Sequence, residues 1–140
     1  MANALAKKLD KNIRWKVYAK SGITAKRVPT ELIANITEQH ADLIVIGLGA
    51  NDAFEGNSPN TWRKGIEQTI RTIRVKFPTT PIAFANMPPI KEFPAFTSLI
   101  QQTIGNLVEL HVRELQKIVA TQPTIIYNQE VLRLQDWLKG

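Results

Sequence analysis

The 140-residue sequence contains no cysteine, which excludes disulfide bonds, thiolate catalysis and cysteine-ligated metals. It also lacks any run approaching the roughly 20 apolar residues that a membrane-spanning helix needs. Residues 1–10 do not contain the apolar segment of a signal peptide, so the localisation stays undetermined. Clustered metal ligands are missing as well, and we therefore expect no metal and no cofactor.

Positive charge is in excess and is unevenly distributed. The net charge is +6 at pH 7, and residues 1–27 contain eight basic side chains and only one acidic side chain, Asp10. Such a basic arm can attract nucleic acid or anionic lipid. No base-stacking aromatic pattern, zinc-finger spacing or arginine-rich tract accompanies it. We therefore expect a solvated face formed by a helix and an outer strand, and no nucleic-acid partner.

Strand and helix patterns alternate along the chain. Ile13–Ala19 alternates apolar with polar residues and predicts an edge strand, whereas Leu43–Leu48 is apolar on both faces, as in a strand buried between helices. The alternation predicts a single α/β domain over residues 1–140, a three-layer sandwich around a parallel sheet. Further strands are predicted at Ile82–Ala85 and Thr124–Tyr127, and helices at Ala2–Leu9, around Leu32–Ile36, around Trp62–Ile73, at Thr97–Ala120 and at Val131–Leu138.

A glycine turn with two polar side chains follows the buried strand. In "ADLIVIGLGAND", Gly49 precedes Asn51 and Asp52 at the carboxyl end of a strand, where α/β sheets gather functional groups. A dinucleotide fingerprint would need glycine in place of Asp52, and a phosphate loop would need a Gly-Lys-Ser/Thr end. Two interpretations stay open: a turn whose side chains cap local backbone groups, and an Asn51 amide that donates to a developing oxyanion.

The segment "AKSGITA" places Gly22 at the end of the preceding predicted strand, where its N–H can point into the same cleft. Together, "SGIT" and "ADLIVIGLGAND" resemble the SGNH hydrolase family, also called GDSL-type esterases and lipases. "TTPIAFANMPP" and "TIIYNQEVLRLQDWL" resemble later strands of that family. The resemblance implies a flavodoxin-like architecture and an oxyanion hole formed by the Gly22 N–H and the Asn51 amide. We expect Gly49 and Asp52 to organise the loop.

The catalytic groups of that family are missing from the sequence. Its nucleophile is the serine of a Gly-Asp-Ser block, and its base belongs to an Asp-x-x-His pair. None of Ser21, Ser58 and Ser98 has the first context, and no aspartate has a histidine three residues later. We identify no nucleophile, because Ser21 has no neighbouring base to activate it. His40 precedes a strand and His111 lies in an apolar helical stripe, as a structural histidine would.

The two missing blocks would lie beyond the two ends of the chain. The sequence therefore resembles an internal, incomplete piece of an SGNH hydrolase that lacks the first strand and the C-terminal catalytic segment. In the family that strand lies between the strands corresponding to Ile13–Ala19 and Leu43–Leu48. We expect a rearranged sheet, oligomerisation with strand exchange, or separate supply of the segment.

The resemblance implies that the intact parent hydrolyses small ester or acyl substrates through an acyl-serine intermediate. This chain would carry the oxyanion-hole residues only. The alternative is a non-catalytic binding or assembly module with a basic N-terminal face. Salt-dependent binding to polyanions would distinguish that module from the hydrolase.

Overall fold

The structure is a computed structural model that describes residues 2–130. It has the predicted α/β organisation, with a parallel sheet of three strands among the described residues. The predicted helix Val131–Leu138 lies outside the described residues. In chain order the elements are α1 Ala2–Leu9, α2 Val28–Glu31, a 3-10 turn Ile33–Asn35, β1 Ile44–Ile46, α3 Ala50–Phe54, α4 Pro59–Lys76, β2 Ile82–Phe84, a 3-10 turn Ile90–Glu92, α5 Ser98–Ala120 and β3 Ile125–Tyr127.

Both long helices begin at residues suited to the purpose. The Ser58 hydroxyl accepts the Thr61 N–H at the start of α4, and Pro59 follows as the first helical residue. Thr97 caps α5 in the same way by accepting the Ile100 N–H. These side chains satisfy main-chain donors that a helix leaves unpaired at its first turn. The predicted helices around Trp62–Ile73 and at Thr97–Ala120 are therefore confirmed.

The sheet has the order β1-β2-β3, and aligned residues share a face. One face carries Ile46, Ile82, Phe84 and Ile125, and it forms the core together with apolar residues of α4 and α5. The core side chains of the two helices are Trp62, Ile66, Ile70 and Ile73 from α4 and Val108, Leu115 and Ile118 from α5. Each such side chain removed from water contributes about 1.5–3 kcal/mol.

The strand predicted at Leu43–Leu48 is shorter than expected and is not buried on both faces. It extends over Ile44–Ile46, where Ile46 is buried while Val45, on the opposite face, is 44% exposed. Ile126, aligned on that face at the other edge of the sheet, is 58% exposed. The helical layer of α4 and α5 thus covers the face that carries Ile46.

The prediction of a strand at Ile13–Ala19 is wrong for the structure as described. The segment pairs with no other strand, and its main chain makes no main-chain hydrogen bond within residues 2–130. A strand requires a hydrogen-bonded neighbour, which an alternating sequence does not provide by itself. Trp15 and Val17 are 69% and 65% exposed.

The basic N-terminal region is partly neutralised by two glutamates. Lys20 and Arg27 both pair with Glu31, and Lys16 pairs with Glu38. The Arg27 and Lys20 side chains lower the Glu31 pKa to about 2, and Lys16 together with the Tyr18 hydroxyl does the same for Glu38. No described helix is both long enough and apolar enough to span a bilayer.

Candidate functional site

Two loops meet beside the carboxyl end of β1, the segment Lys20–Ala25 and the turn Gly49–Asp52. The Asn51 Nδ2 atom donates to the Ile23 carbonyl oxygen at 2.9 Å. The Ala25 N–H donates to the Asp52 Oδ2 atom at 3.0 Å. These two hydrogen bonds join residues 28 and 27 positions apart, so the fold brings both predicted site segments together.

Gly22 is exposed and adopts a left-handed backbone conformation with φ of +69°. A Cβ atom added there would meet nothing within 4 Å, so the backbone angle rather than a lack of space favours glycine. Its neighbour Ile23 donates its N–H back to Lys20 at 3.3 Å. Within residues 2–130 the N–H of this exposed residue has no acceptor.

Asn51 is half-buried and uses one amide hydrogen on Ile23. An Asn side chain has two such hydrogens, and the second finds no acceptor among the described residues. The amide is thus fixed in place by one bond while it keeps one donor. This arrangement differs from a plain capping turn, because Asn51 contacts a remote loop rather than its own backbone.

Asp52 lies buried between the two loops, and both carboxylate oxygens are occupied. Oδ2 accepts the Ala25 N–H, and Oδ1 accepts from the Asn57 side-chain amide at 3.2 Å. Burial raises the Asp52 pKa above its ordinary value, while these two donors and nearby His111 oppose the change. A carboxylate with both oxygens engaged acts as a connector.

Gly49 requires glycine on two grounds. Its φ of +125° is one that side-chain-bearing residues rarely adopt, and an added Cβ would lie 2.3 Å from the Met87 sulfur. Met87 is buried in the proline-rich loop after β2. The close approach therefore fixes the turn after β1 against the next loop along the sheet.

Two residues of α4 that the sequence analysis did not identify, Gly65 and Thr69, contact the Gly22 loop at Ala25. The Thr69 hydroxyl donates to the Ala25 carbonyl oxygen at 3.2 Å. A Cβ at Gly65 would lie 2.9 Å from the Ala25 Cβ, so the helix approaches the loop closely only because it has glycine there. The sequence signal was a glycine and a threonine four residues apart beside the apolar stripe of this helix.

His111 is fully buried in α5 and stacks on Trp62 with a centroid distance of 5.2 Å. Its Nε2–H donates to the Asn57 carbonyl oxygen at 2.8 Å, and the Trp62 Nε1–H donates to the His111 carbonyl oxygen at 2.9 Å. Burial lowers the His111 pKa. The role of Asn57 was also missed, because nothing in the sequence connects it with a histidine 54 residues away.

A second missed cluster ties the chain after β3 to the end of β2. The Tyr127 hydroxyl donates to Asn86 Oδ1 at 2.5 Å, and Asn86 Nδ2 donates to the Glu130 carbonyl oxygen at 2.9 Å. Burial raises the Tyr127 pKa. Residues 128–130 are consequently held at the carboxyl edge of the sheet, the edge at which Gly49–Asp52 lies.

The described residues do not assemble a nucleophile with a base. The hydrogen bonds among residues 2–130 include none between a serine and a histidine, and Ser21 is exposed. His40 is exposed and pairs with Asp42. Within the same residues no three His, Asp or Glu side chains cluster as metal ligands would. The arrangement contains two candidate donors, Gly22 and Asn51, and the side chains that hold them.

Comparison with known proteins agrees with this architecture. The family model of the GDSL-like lipase/acylhydrolase family matches residues 1–125. The extracellular lipase of Streptomyces rimosus is a similar solved structure, with a TM-score of 0.63 and 14% sequence identity. The match covers 89% of this chain and 64% of that lipase, so the chain spans less than two thirds of its length. A comparison with curated proteins gave no match.

The structural likeness, at this low identity, supports the fold. The sequence match extends over most of the chain and includes both loops of the site and all strands up to the start of β3. Members of that family are lipases and acylhydrolases, which hydrolyse esters. The chain belongs to the GDSL-like lipase/acylhydrolase family.

Proposed function

We propose that this chain supplies the oxyanion hole of an ester hydrolase, with the Gly22 N–H and the Asn51 side-chain amide as its two donors. The observation that carries the proposal is the hydrogen bond from Asn51 Nδ2 to the Ile23 carbonyl oxygen, at 2.9 Å. It holds the amide against the loop that carries Gly22. Within residues 2–130, neither the Gly22 N–H nor the second hydrogen of the Asn51 amide has an acceptor.

The chemistry is an acyl transfer through an acyl-serine intermediate. A serine hydroxyl passes its proton to a base as its oxygen attacks the ester carbonyl carbon, and the carbonyl π electrons move to the carbonyl oxygen, which becomes an oxyanion. Donors aimed at that oxygen stabilise the tetrahedral intermediate, and each is worth about 3 kcal/mol. The ester C–O bond then breaks and the protonated base gives its proton to the leaving alcohol, after which a water activated by the same base hydrolyses the acyl-serine to the free acid and the serine hydroxyl. Neither Gly22 nor Asn51 carries a charge that desolvation would penalise.

The nucleophile and its base come, in this proposal, from segments outside residues 1–140. Ser21 adjoins Gly22 in sequence, but no base contacts it among the described residues. The substrate is a small ester or acyl compound bound by the whole protein. We accordingly expect the 140-residue chain alone to show no hydrolysis of a short-chain aryl ester above the uncatalysed background.

Reconstitution tests the proposal. The chain is extended before Met1 with a strand segment ending in Gly-Asp-Ser and after Gly140 with an Asp-x-x-His segment, and hydrolysis of p-nitrophenyl butyrate is measured. The matched control carries Gly-Asp-Ala. We expect turnover from the first protein and none above background from the control. Strong hydrolysis by the unextended chain with Ser21 dispensable, or no turnover after reconstitution of a folded protein, would refute the proposal.

A further inference from the structure

A chain of hydrogen bonds leads from α5 to the Gly22 loop. His111 Nε2–H donates to the Asn57 carbonyl oxygen at 2.8 Å, and the Asn57 side chain donates to Asp52 Oδ1 at 3.2 Å. Asp52 Oδ2 in turn accepts the Ala25 N–H at 3.0 Å. His111 and Asp52 are 0% and 1% exposed, whereas Asn57 between them is half-buried, so the two ends of the chain are shielded from solvent.

The surroundings of His111 favour a neutral ring. A carbonyl oxygen only accepts, so the bond to Asn57 places a proton on Nε2. Nδ1 is buried and has no hydrogen-bond partner within the described part of the chain. A second proton, on Nδ1, would therefore be a buried donor with no acceptor among these residues.

Few negatively charged groups are placed to stabilise a protonated His111 ring. Asp52 on α3 is the carboxylate that acts on the ring. On the other elements around it the ionic side chains have partners: Arg63 on α4 lies 3.7 Å from Glu114 of α5, and Lys91 lies 2.5 Å from Glu109. Glu55, between α3 and Asn57, acts on Asp52 and opposes its ionisation.

We propose that His111 is a positioning residue for the Gly22–Asn51 site. The ring holds Asn57, and through it Asp52 and Ala25. Proton uptake puts an N–H on the buried Nδ1, which has no acceptor among the described residues, so the ring moves and releases the Gly22 loop. This inference rests on the proposed function only where it assigns the Gly22 loop to an oxyanion hole. The coupling between His111 and Ala25 is a property of the folded chain and is measurable without turnover.

The test is a nuclear magnetic resonance titration of the 15N-labelled 140-residue protein from pH 8 to pH 5. It follows the main-chain N–H signals of Gly22 and Ala25, the Asn51 side-chain amide and the His111 ring nitrogens. In the wild type we expect the three amide signals to shift sigmoidally with the midpoint of the ring. The exposed histidine provides the matched control, since His40→Gln should leave these curves unchanged.

Two variants separate the steps. His111→Gln keeps an N–H donor near the Nε2 position but cannot titrate in this range, so the amide signals should stay at their high-pH positions. Asn57→Ala keeps the main-chain carbonyl that His111 contacts and removes the amide that contacts Asp52. In Asn57→Ala the His111 ring should still titrate, but the N–H signals of Ala25 and Gly22 should no longer shift with it. This variant tests the proposal even if the His111→Gln protein fails to fold.

Loss of the shared midpoint in both variants supports the proposal. Amide signals that do not follow the His111 ring in the wild type would overturn it, as would curves that persist in His111→Gln or in Asn57→Ala. The result is distinguishable from failure of the proposed function. If substitution of Asn51 leaves the activity of the reconstituted esterase unchanged, the oxyanion hole is refuted but the coupling between His111 and Ala25 is not. If instead the amide signals do not follow the His111 ring, the coupling is refuted but the oxyanion hole is not.

Discussion

The Asp52 carboxylate accepts the main-chain N–H of Ala25 at 3.0 Å, across 27 residues of sequence. Asp52 is 1% exposed, and this contact fixes the loop that carries Gly22 against the turn that carries Asn51. The relationship gives a family-typical Asn-Asp pair two different tasks. Asn51 keeps one amide hydrogen without an acceptor among residues 2–130, whereas Asp52 accepts from the protein's own main chain.

Removing that carboxylate should destabilise the fold. Asp52→Ala leaves the buried Ala25 N–H without an acceptor, which costs about 1–3 kcal/mol, and it also removes the acceptor of the half-buried Asn57 amide. Urea unfolding monitored by tryptophan fluorescence measures the loss. The matched control is Asp42→Ala, whose side chain is 97% exposed and whose unfolding midpoint should not change. Equal midpoints for Asp52→Ala and the wild type would contradict the connecting role.

The turn at Gly49 should tolerate no side chain. Gly49→Ala forces a φ of +125° on alanine and brings its Cβ to 2.3 Å from the Met87 sulfur. We expect a loss of roughly 1–3 kcal/mol from the backbone conformation alone. Gly47→Ala, two residues earlier, meets nothing within 4 Å and should be nearly neutral. Similar unfolding midpoints for the two variants would contradict the backbone constraint at Gly49.

Stability should fall as the pH drops below about 6.5, the ordinary histidine pKa. The His111 pKa is lowered in the folded state, so the unfolded chain binds a proton first and acid favours unfolding. The stability contributed by the neutral ring is complete above pH 6.5 and is lost towards the folded pKa. Asp52 has the opposite sign, because its raised pKa makes the folded state bind a proton at a higher pH than the unfolded state does.

Urea midpoints at pH 7.5, 6.5 and 5.5 check this sign. The wild type should lose stability across the series, and His111→Gln should lose less. His40→Gln should behave as the wild type, because that ring is exposed. A wild-type midpoint that rises on acidification would mean that Asp52 rather than His111 governs this range.

The outer edge of β1 should exchange its amide protons rapidly. Ile44 N–H bonds to Pro81 and the Ile46 carbonyl to Ala85, so the groups of Val45 between them point away from β2. We expect fast hydrogen exchange at Val45 and slow exchange at Ile46. Extending the chain with the Gly-Asp-Ser strand segment should slow Val45 selectively. Slow exchange at Val45 in the dilute, unextended chain would contradict an open edge.

Much of the fold follows from local patterns in the sequence. The strands predicted at Ile82–Ala85 and Thr124–Tyr127, the two capped helices and the glycine turn before Asn51 each depend on residues close together in the chain, and they are present, although the strands are shorter than predicted. The strand predicted at Leu43–Leu48 is also shorter and is buried on one face only. The helix predicted around Leu32–Ile36 is replaced by α2 at Val28–Glu31 and a 3-10 turn at Ile33–Asn35. Ile13–Ala19 failed because strand formation depends on a hydrogen-bonded neighbour, which alternation does not provide. Trp15 and Val17 are exposed for the same reason.

The site was only half accessible to sequence analysis. Gly22, Gly49, Asn51 and Asp52 were found because they lie in recognisable motifs. Asn57 and Thr69 act through contacts with residues 54 and 44 positions away, His111 and Ala25. Such partners become visible only once the helices pack, since neither spacing nor residue type distinguishes them from ordinary loop and helix residues.

In the proposed ester hydrolase Asn51 donates to the oxyanion, and the effect of Asn51→Ala on kcat of the reconstituted enzyme tests this role. We expect kcat to fall about 10²–10³-fold with little change in KM, since the interaction forms in the transition state. The control Asn60→Ala removes an exposed amide whose oxygen contacts Arg63 and should leave kcat unaltered. A folded Asn51→Ala enzyme with wild-type kcat would contradict the account.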